Sequence, residues 1–269
     1  MIPLRDNIPT QRVPVVNYAI LAFTSIVFAA QVFHEDDPGG PVERYGMVPA
    51  RVFHPDRPLV VRDEVPELDG RNVVIVERVR EAAPSAVPPI FTLLTCIFLH
   101  GGWLHFLGNM WFLYIFGDNV EDRFGRIGYL LFYLLSGVAA SAAHLFTNAD
   151  STVPTIGASG AIAGVMGAYF YSYPHAKVVA LVPIFFFLEI LVLPAPLFLG
   201  FWFLLQFVQG IGSVTATEAG GVAWWAHIGG FAVGFLVSML LSNLGSLRPK
   251  VQATRPQAGR IRTLRDRSY

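Results

Sequence analysis

Apolar runs separated by short polar stretches dominate the chain, and their lengths predict membrane-crossing helices. Pro14 to Phe33 is close to the roughly 20 residues needed to cross a hydrocarbon core of about 30 Å. A basic start before an apolar run also fits a signal peptide, but this run exceeds the usual core of about 7–15 residues, so a retained first span is expected. Residues 34–89 are different: eleven acids, seven arginines and Pro/Gly clusters predict a large water-exposed loop. Apolar character returns after Pro89, and Gly101-Gly102 punctuate it, so a second helix is expected from Trp103 to about Phe116. Asp118 to Arg126 reads as a charged turn. Further spans are expected at Ile127–Phe146, Gly157–Tyr173 and Ala223–Leu244. Val178 to Gln209 is too long for one crossing and is broken by Pro183, Pro194 and Pro196. It is read as an interfacial or re-entrant piece followed by one span from about Ala195 to Gly210. Residues 245–269 form a basic tail expected to be disordered.

Composition agrees with this reading. Hydrophobic residues make up 54% and charged residues 14% of the 269, against about 25% charged in soluble domains. Net charge is zero, but Lys177 is the only basic residue between Arg126 and Arg248, the region where most membrane-spanning sequence is expected. Cys96 is the single cysteine, which excludes an intramolecular disulfide and a cysteine metal site. No nucleotide-binding glycine fingerprint is present, and no nucleic acid partner is expected.

The charge bias also predicts orientation. Cytoplasmic loops carry the Lys/Arg excess, which puts the basic tail inside. Counting back over six spans places the Lys- and Arg-free loops Asn148–Thr155 and Gly212–Val222 outside, and residues 1–13 inside. The second, fourth and sixth spans then run from outside to inside. Their first turns carry His105 and Asn109, Ser159, and His227, which therefore share one depth below the outer face. A second crossing within Val178–Gln209 would move His227 to the other face.

The candidate chemistry lies in those first turns, since polar groups inside a membrane are functional candidates. Ser159 stands between Gly157 and Gly160 at the head of a helix poor in side-chain bulk. A serine becomes a nucleophile when a base lies within hydrogen-bond reach, and histidine suits that task. Gly230 and Gly234 share the face of His227, while Gly160, Ala163 and Gly167 lie near the face of Ser159. Two thin faces permit close packing, which would bring imidazole and hydroxyl to about 3 Å. Asp150 and Glu218 are the nearest carboxylates and fall in outer loops, so a Ser–His dyad without an acid is expected. The Ser159 backbone N–H and the side chains of Asn109 and His105 are the available oxyanion donors. Asn109 and His105 share a helix face by their spacing of four, and His100 is expected to precede that helix and fold back over it. His100, His105 and His227 also make a three-histidine zinc set, but the glycine-framed serine and Asn109 have no role in one.

These residues resemble the rhomboid family of intramembrane serine proteases. The matching motifs are His100-x4-His105-x3-Asn109, Gly157-Ala-Ser159-Gly160 and Ala226-His227-Ile-Gly229-Gly230-x3-Gly234, over roughly Phe91 to Leu241. The resemblance implies an all-α membrane protein: a six-transmembrane-helix bundle with a large outer loop between the first and second helices and a cavity open to the outer face. It implies Ser159 as nucleophile, His227 as base, and Asn109, His105 and the Ser159 amide as the oxyanion hole, with His100, Gly157 and Gly160 as accessory residues. The implied substrates are other membrane proteins, cut in or near a transmembrane segment, with no cofactor and no metal. The implied location is the cell membrane, multi-pass, with both termini cytoplasmic. One departure stands out. Many members of that family place an aromatic one turn after the serine to stack on the histidine, and here that position is Ala163. Trp224, Trp225 or an aromatic of the second span is expected to hold the imidazole instead. Glu189 is expected at the interface facing water. The alternatives are an inactive client-binding relative and a histidine-ligated metal protein.

Overall fold

In the computed structural model, which describes residues 1–34, 39–69, 72–184, 187–215 and 223–250, the chain opens with a strand, β1 (Ile2–Asp6). Helix α1 (Val15–Phe33) follows Pro14. Its first amides are satisfied from far along the chain, Glu121 accepting from Val16 N–H at 3.2 Å and from Asn17 N–H at 2.7 Å. A carboxylate there also complements the positive end of the helix dipole. The segment between α1 and Pro89 carries two short helices, α2 (Pro41–Tyr45) and α3 (Pro49–Phe53), each started by a proline. An antiparallel hairpin of β2 (Val60–Asp69) and β3 (Asn72–Glu81) follows. Arg51 ties the segment together by donating to the carbonyls of Glu43 at 2.7 Å and Ala83 at 2.9 Å, and Arg80 pairs with the Glu43 carboxylate.

A short helical stretch with α4 (Thr92–Thr95) leads into α5 (Trp103–Phe124), the two directions differing by 79° across Gly101-Gly102. Gly102 has φ +137°, a conformation few residues other than glycine adopt. Then come α6 (Arg126–Thr147) and α7 (Ser159–Ser172). A hairpin of β4 (Lys177–Ile184) and β5 (Phe187–Pro194) precedes α8 (Ala195–Thr215) and α9 (Trp224–Asn243).

Three expectations are corrected. The chain is mostly helical but not all-α: β1, β4 and β5 form a three-stranded sheet in the order β1-β4-β5, and β2 and β3 form a second sheet. Residues 177–184 and 187–194 are therefore strands, where an interfacial or re-entrant piece was expected. Pro183 is tolerated in the central strand because pairing with β1 stops at Leu181. Glu189 is exposed on β5, opposite Val182. Lastly, α5 continues eight residues past Phe116, and the charged turn is its last part. The acids there are used: Asp122 accepts from Gln11 N–H at 2.6 Å and Asp118 from the Thr10 hydroxyl, beside the Glu121 cap on α1. Most of the Gly212–Val222 loop and the tail beyond Lys250 lie outside the described residues.

Among the described residues three helices, α1, α6 and α9, are long and apolar enough to cross a membrane, and the bent pair ending in α5 makes a fourth if taken as one span. Helix α7 has 14 residues and sits at the centre, buried from Gly160 to Tyr169. Its most extensive helix contact is with α9. Glycines bring the two backbones together. A Cβ on Gly230 would stand 2.1 Å from the carbonyl oxygen of Gly160, one on Gly234 1.9 Å from that of Gly164, and one on Gly167 2.1 Å from that of Phe231. On the other side α6 supplies Ala140 and Ser136, whose Cβ atoms would be met at 2.6 Å from Gly160 and Gly164.

Candidate active site

Ser159 is the first residue of α7, and Ala158 precedes it in helical conformation. The first hydrogen bond of the helix is Ile162 N–H to Ala158 C=O, so the Ser159 amide is one of the amides a helix start leaves without an internal partner. The approach to it is pinned. Met47 and Thr155 exchange both backbone hydrogen bonds, at 3.1 and 2.7 Å, and Gly157 N–H donates to Cys96 C=O at 2.9 Å. Gly157 has φ +130°, and a Cβ there would lie 2.8 Å from Cε1 and Nε2 of His105. Both its conformation and its lack of a side chain are therefore required.

His227, in the first turn of α9, is buried and places Nε2 2.7 Å from Ser159 Oγ. The thin faces of α7 and α9 set this distance, as the small-residue spacing predicts. Its other nitrogen, Nδ1, lies 2.6 Å from Oε1 of Gln206, a buried side chain on α8. The ring also meets Trp202, one turn before Gln206, at 5.7 Å between centroids and 38°, and the edge of Trp224 at 6.2 Å and 86°. Trp224 is thus one of the expected holders. Trp225 lines the same cavity. Among the described residues, no aromatic of α5 contacts the ring. Ala163 is wholly buried in α7.

His105 and Asn109 line the same cavity of about 810 Å³ as Ser159, Trp202, Gln206 and His227. Gly101 N–H donates to His105 Nδ1 at 3.3 Å, which leaves the proton of a neutral ring on Nε2, the nitrogen beside Gly157. The Asn109 Nδ2 is buried and has no hydrogen-bond partner among the described residues, an amide donor left unspent. His100 precedes α5 as expected. Its ring is buried between Phe28, Phe106 and His105, the last at 5.2 Å between centroids. Its backbone is gripped by Gln31 of α1, whose Oε1 accepts from His100 N–H at 3.0 Å while Nε2 donates to His100 C=O at 2.5 Å. His100 therefore shapes the turn into α5 and lies outside the cavity holding Ser159.

Sequence reasoning missed Gln206, Trp202 and Gln31. A signal for Gln206 existed, since it is a polar side chain inside an apolar run, the same reason for which Asn109 was singled out. Both nitrogens of His227 are engaged, and among the described residues no three His, Cys, Asp or Glu side chains are grouped as they would be around one ion.

Comparison with known proteins points to one family. A family model described as the Rhomboid domain matches residues 88–244. The chain is 35% identical over 156 residues to RHOMBOID-like protein 4 of Arabidopsis thaliana, a match covering 55% of this chain and 33% of that protein. It is 29% identical over 161 residues to Rhomboid protein 1, mitochondrial, of Saccharomyces cerevisiae, covering 56% and 42%. RHOMBOID-like protein 5 of Arabidopsis thaliana is 42% identical over 78 residues, covering 28% and 25%. The chain thus spans well under half the length of the relatives it matches.

Proposed function

This chain belongs to the rhomboid family, and we propose that it is an intramembrane serine endopeptidase that cuts other membrane proteins in or near a transmembrane segment through a Ser159–His227 dyad. The observation that carries the reading is the 2.7 Å contact between Ser159 Oγ and His227 Nε2. In this reading the helices α1, α5, α6, α7, α8 and α9 are six spans of a cell membrane protein, and the cavity opens on the extracytoplasmic side.

The chemistry follows from the groups in the cavity. Ser159 Oγ attacks the scissile carbonyl carbon while its proton passes to His227 Nε2. The carbonyl π electrons move to oxygen, and the oxyanion is met by the Ser159 amide, the unspent Nδ2 of Asn109 and His105 Nε2–H. The positive end of the α7 dipole acts on the same charge. His227 returns the proton to the departing amine as the C–N bond breaks, leaving an acyl ester on Ser159. Water then repeats the sequence, giving its proton to His227 and releasing the acid and free Ser159. An intact substrate helix hides its peptide bonds, so the segment must unwind to reach Oγ.

The test is cleavage of a model transmembrane substrate in liposomes by wild type, Ser159→Ala and His227→Ala, with labelling by a fluorophosphonate probe. Cleavage and labelling by wild type, both lost in Ser159→Ala, are expected. Cleavage that survives Ser159→Ala would refute the mechanism. Absence of cleavage and labelling in every form would favour a client-binding relative.

A further inference from the structure

The buried edge of His227 faces α8 and is occupied by a side chain the dyad does not itself require. For the Ser159 hydroxyl to donate to Nε2, that nitrogen must be bare, and the one proton of the neutral imidazole must then sit on Nδ1. A buried N–H without an acceptor is costly. The polar atom at that position is Oε1 of Gln206, at 2.6 Å. Gln206 is itself 8% exposed within the apolar run 195–210, whereas Gln209, the other glutamine of the run, is exposed. A carboxamide buried in such a helix is stable only when hydrogen-bonded.

We propose that Gln206 is a positioning residue of this site, its carboxamide oxygen holding His227 in the Nδ1–H tautomer so that Nε2 can take the Ser159 proton. This rests on the protease reading above. Trp202 and Gln206 are four apart and share one face of α8. That face therefore grips the imidazole twice, once on its ring plane and once on its Nδ1 edge. In the resemblance the histidine leans on an aromatic at the position of Ala163; here α8 takes over that support. The carboxamide orients the ring as the aspartate of a Ser-His-Asp triad does, but brings no charge to balance the imidazolium.

Two measurements test it. The first needs no variant: NMR of wild type carrying 15N-labelled histidine, with His227 assigned by its loss in His227→Ala. The Nδ1–H tautomer with a downfield-shifted proton is expected, and an Nε2–H tautomer would overturn the proposal. Because this spectrum is independent of turnover, it separates failure of the proposal from failure of the protease reading, which wild type lacking cleavage and fluorophosphonate labelling would reveal. The second compares Gln206→Met, similar in shape but lacking the acceptor, with Gln206→Glu, which keeps it. Gln206→Met is expected to lose kcat on the order of 10²-fold at unchanged KM, because the ring is no longer held in place. Gln206→Glu, which still accepts from Nδ1–H, is expected to keep kcat within about tenfold of wild type, the loss of the carboxamide N–H donor being worth no more than one hydrogen bond. Full kcat in Gln206→Met, a loss confined to KM, or equal inactivity of both variants would overturn it, the last because packing and not the acceptor would then be at stake.

Discussion

Gly234→Ala is the sharpest available test of what sets the Ser159–His227 distance. The added Cβ would stand 1.9 Å from the Gly164 carbonyl oxygen, 2.6 Å from its carbon and 2.7 Å from its Cα, against 3.4 Å or more for an ordinary contact. The helices α7 and α9 must then part by about 1.5 Å, the difference of those two separations. Rotation of a side chain cannot relieve this, because the three nearest atoms are all backbone atoms of Gly164. His227 lies seven residues toward the N-terminal end of α9, about 10 Å along the axis at 1.5 Å per residue. If α9 shifts as a rigid body, the 2.7 Å contact opens to about 4 Å, beyond the roughly 3.2 Å limit of a useful hydrogen bond. Misplacement by about 1 Å costs on the order of 10²-fold in rate, so kcat is expected to fall by at least that much. Overpacking of this kind costs about 1–3 kcal/mol of stability, which should lower Tm without abolishing folding. The assay is steady-state cleavage of a transmembrane substrate beside thermal unfolding. Gly128→Ala serves as control, since its Cβ would meet Phe124 Cβ at an ordinary 3.7 Å, and it should leave activity unchanged. A kcat within threefold of wild type for Gly234→Ala would refute the claim that backbone contact fixes the site.

Three further outcomes are expected. Gly157→Ala combines a strained φ of +130° with a Cβ 2.8 Å from the His105 ring, so cleavage should drop on the order of 10²-fold with little change in far-ultraviolet circular dichroism; wild-type rates would refute it. Trp202→Ala removes the ring tilted 38° to the imidazole at 5.7 Å between centroids and with it about 0.5–2 kcal/mol of support for the imidazolium, so kcat/KM should fall by about tenfold and recover in Trp202→Phe. Asp6 on β1 accepts from the Tyr169 hydroxyl and from Asn119 Nδ2 at 3.0 Å. Burial pushes its carboxyl up to about 7, against the lowering pull of Tyr169 and with Asp118 adding to the rise. Because the folded value lies above the ordinary one, folding takes up a proton, so this contribution is present below about pH 4 and is lost as pH rises toward 7. Tm of wild type should accordingly fall from pH 5 to pH 8, and Asp6→Asn should flatten that fall; an identical slope in both proteins would sink the assignment.

The parts of the site legible in sequence are those where a local rule fixes a position. The spacing of His105 and Asn109, the glycine frame of Ser159 and the small residues behind His227 each specify a helix face. In the fold these residues meet, His105, Asn109, Ser159 and His227 all lining one cavity. The parts that were not legible depend on partners far away in the chain. The acids of residues 118–122 read as a solvated turn, because no local signal says that Glu121 caps α1 and Asp122 takes the Gln11 amide. Residues 178–193 are apolar on successive positions but for Glu189, and a strand with two apolar faces cannot be told from a helix by period alone. In β3, by contrast, the β-branched run Val73–Val76 is a composition that favours a strand.

Ala163 shows how the two kinds of information meet. Read locally, it is a missing aromatic, and the imidazole looks unsupported. In the fold the residue is wholly buried, in a helix whose neighbouring glycines already touch backbone on α9 and small side chains on α6. Space for a ring at that position is therefore absent, and the small side chain belongs to the same thin face that sets the approach of α9. Support for His227 then has to come from the side that α7 does not cover, and α8 covers it, with Trp202 against the ring and Gln206 on Nδ1. The alanine at 163 and the buried Gln206 in an apolar run thus go together in this fold: the aromatic and carboxamide groups that meet the imidazole come from α8 and α9 and not from α7.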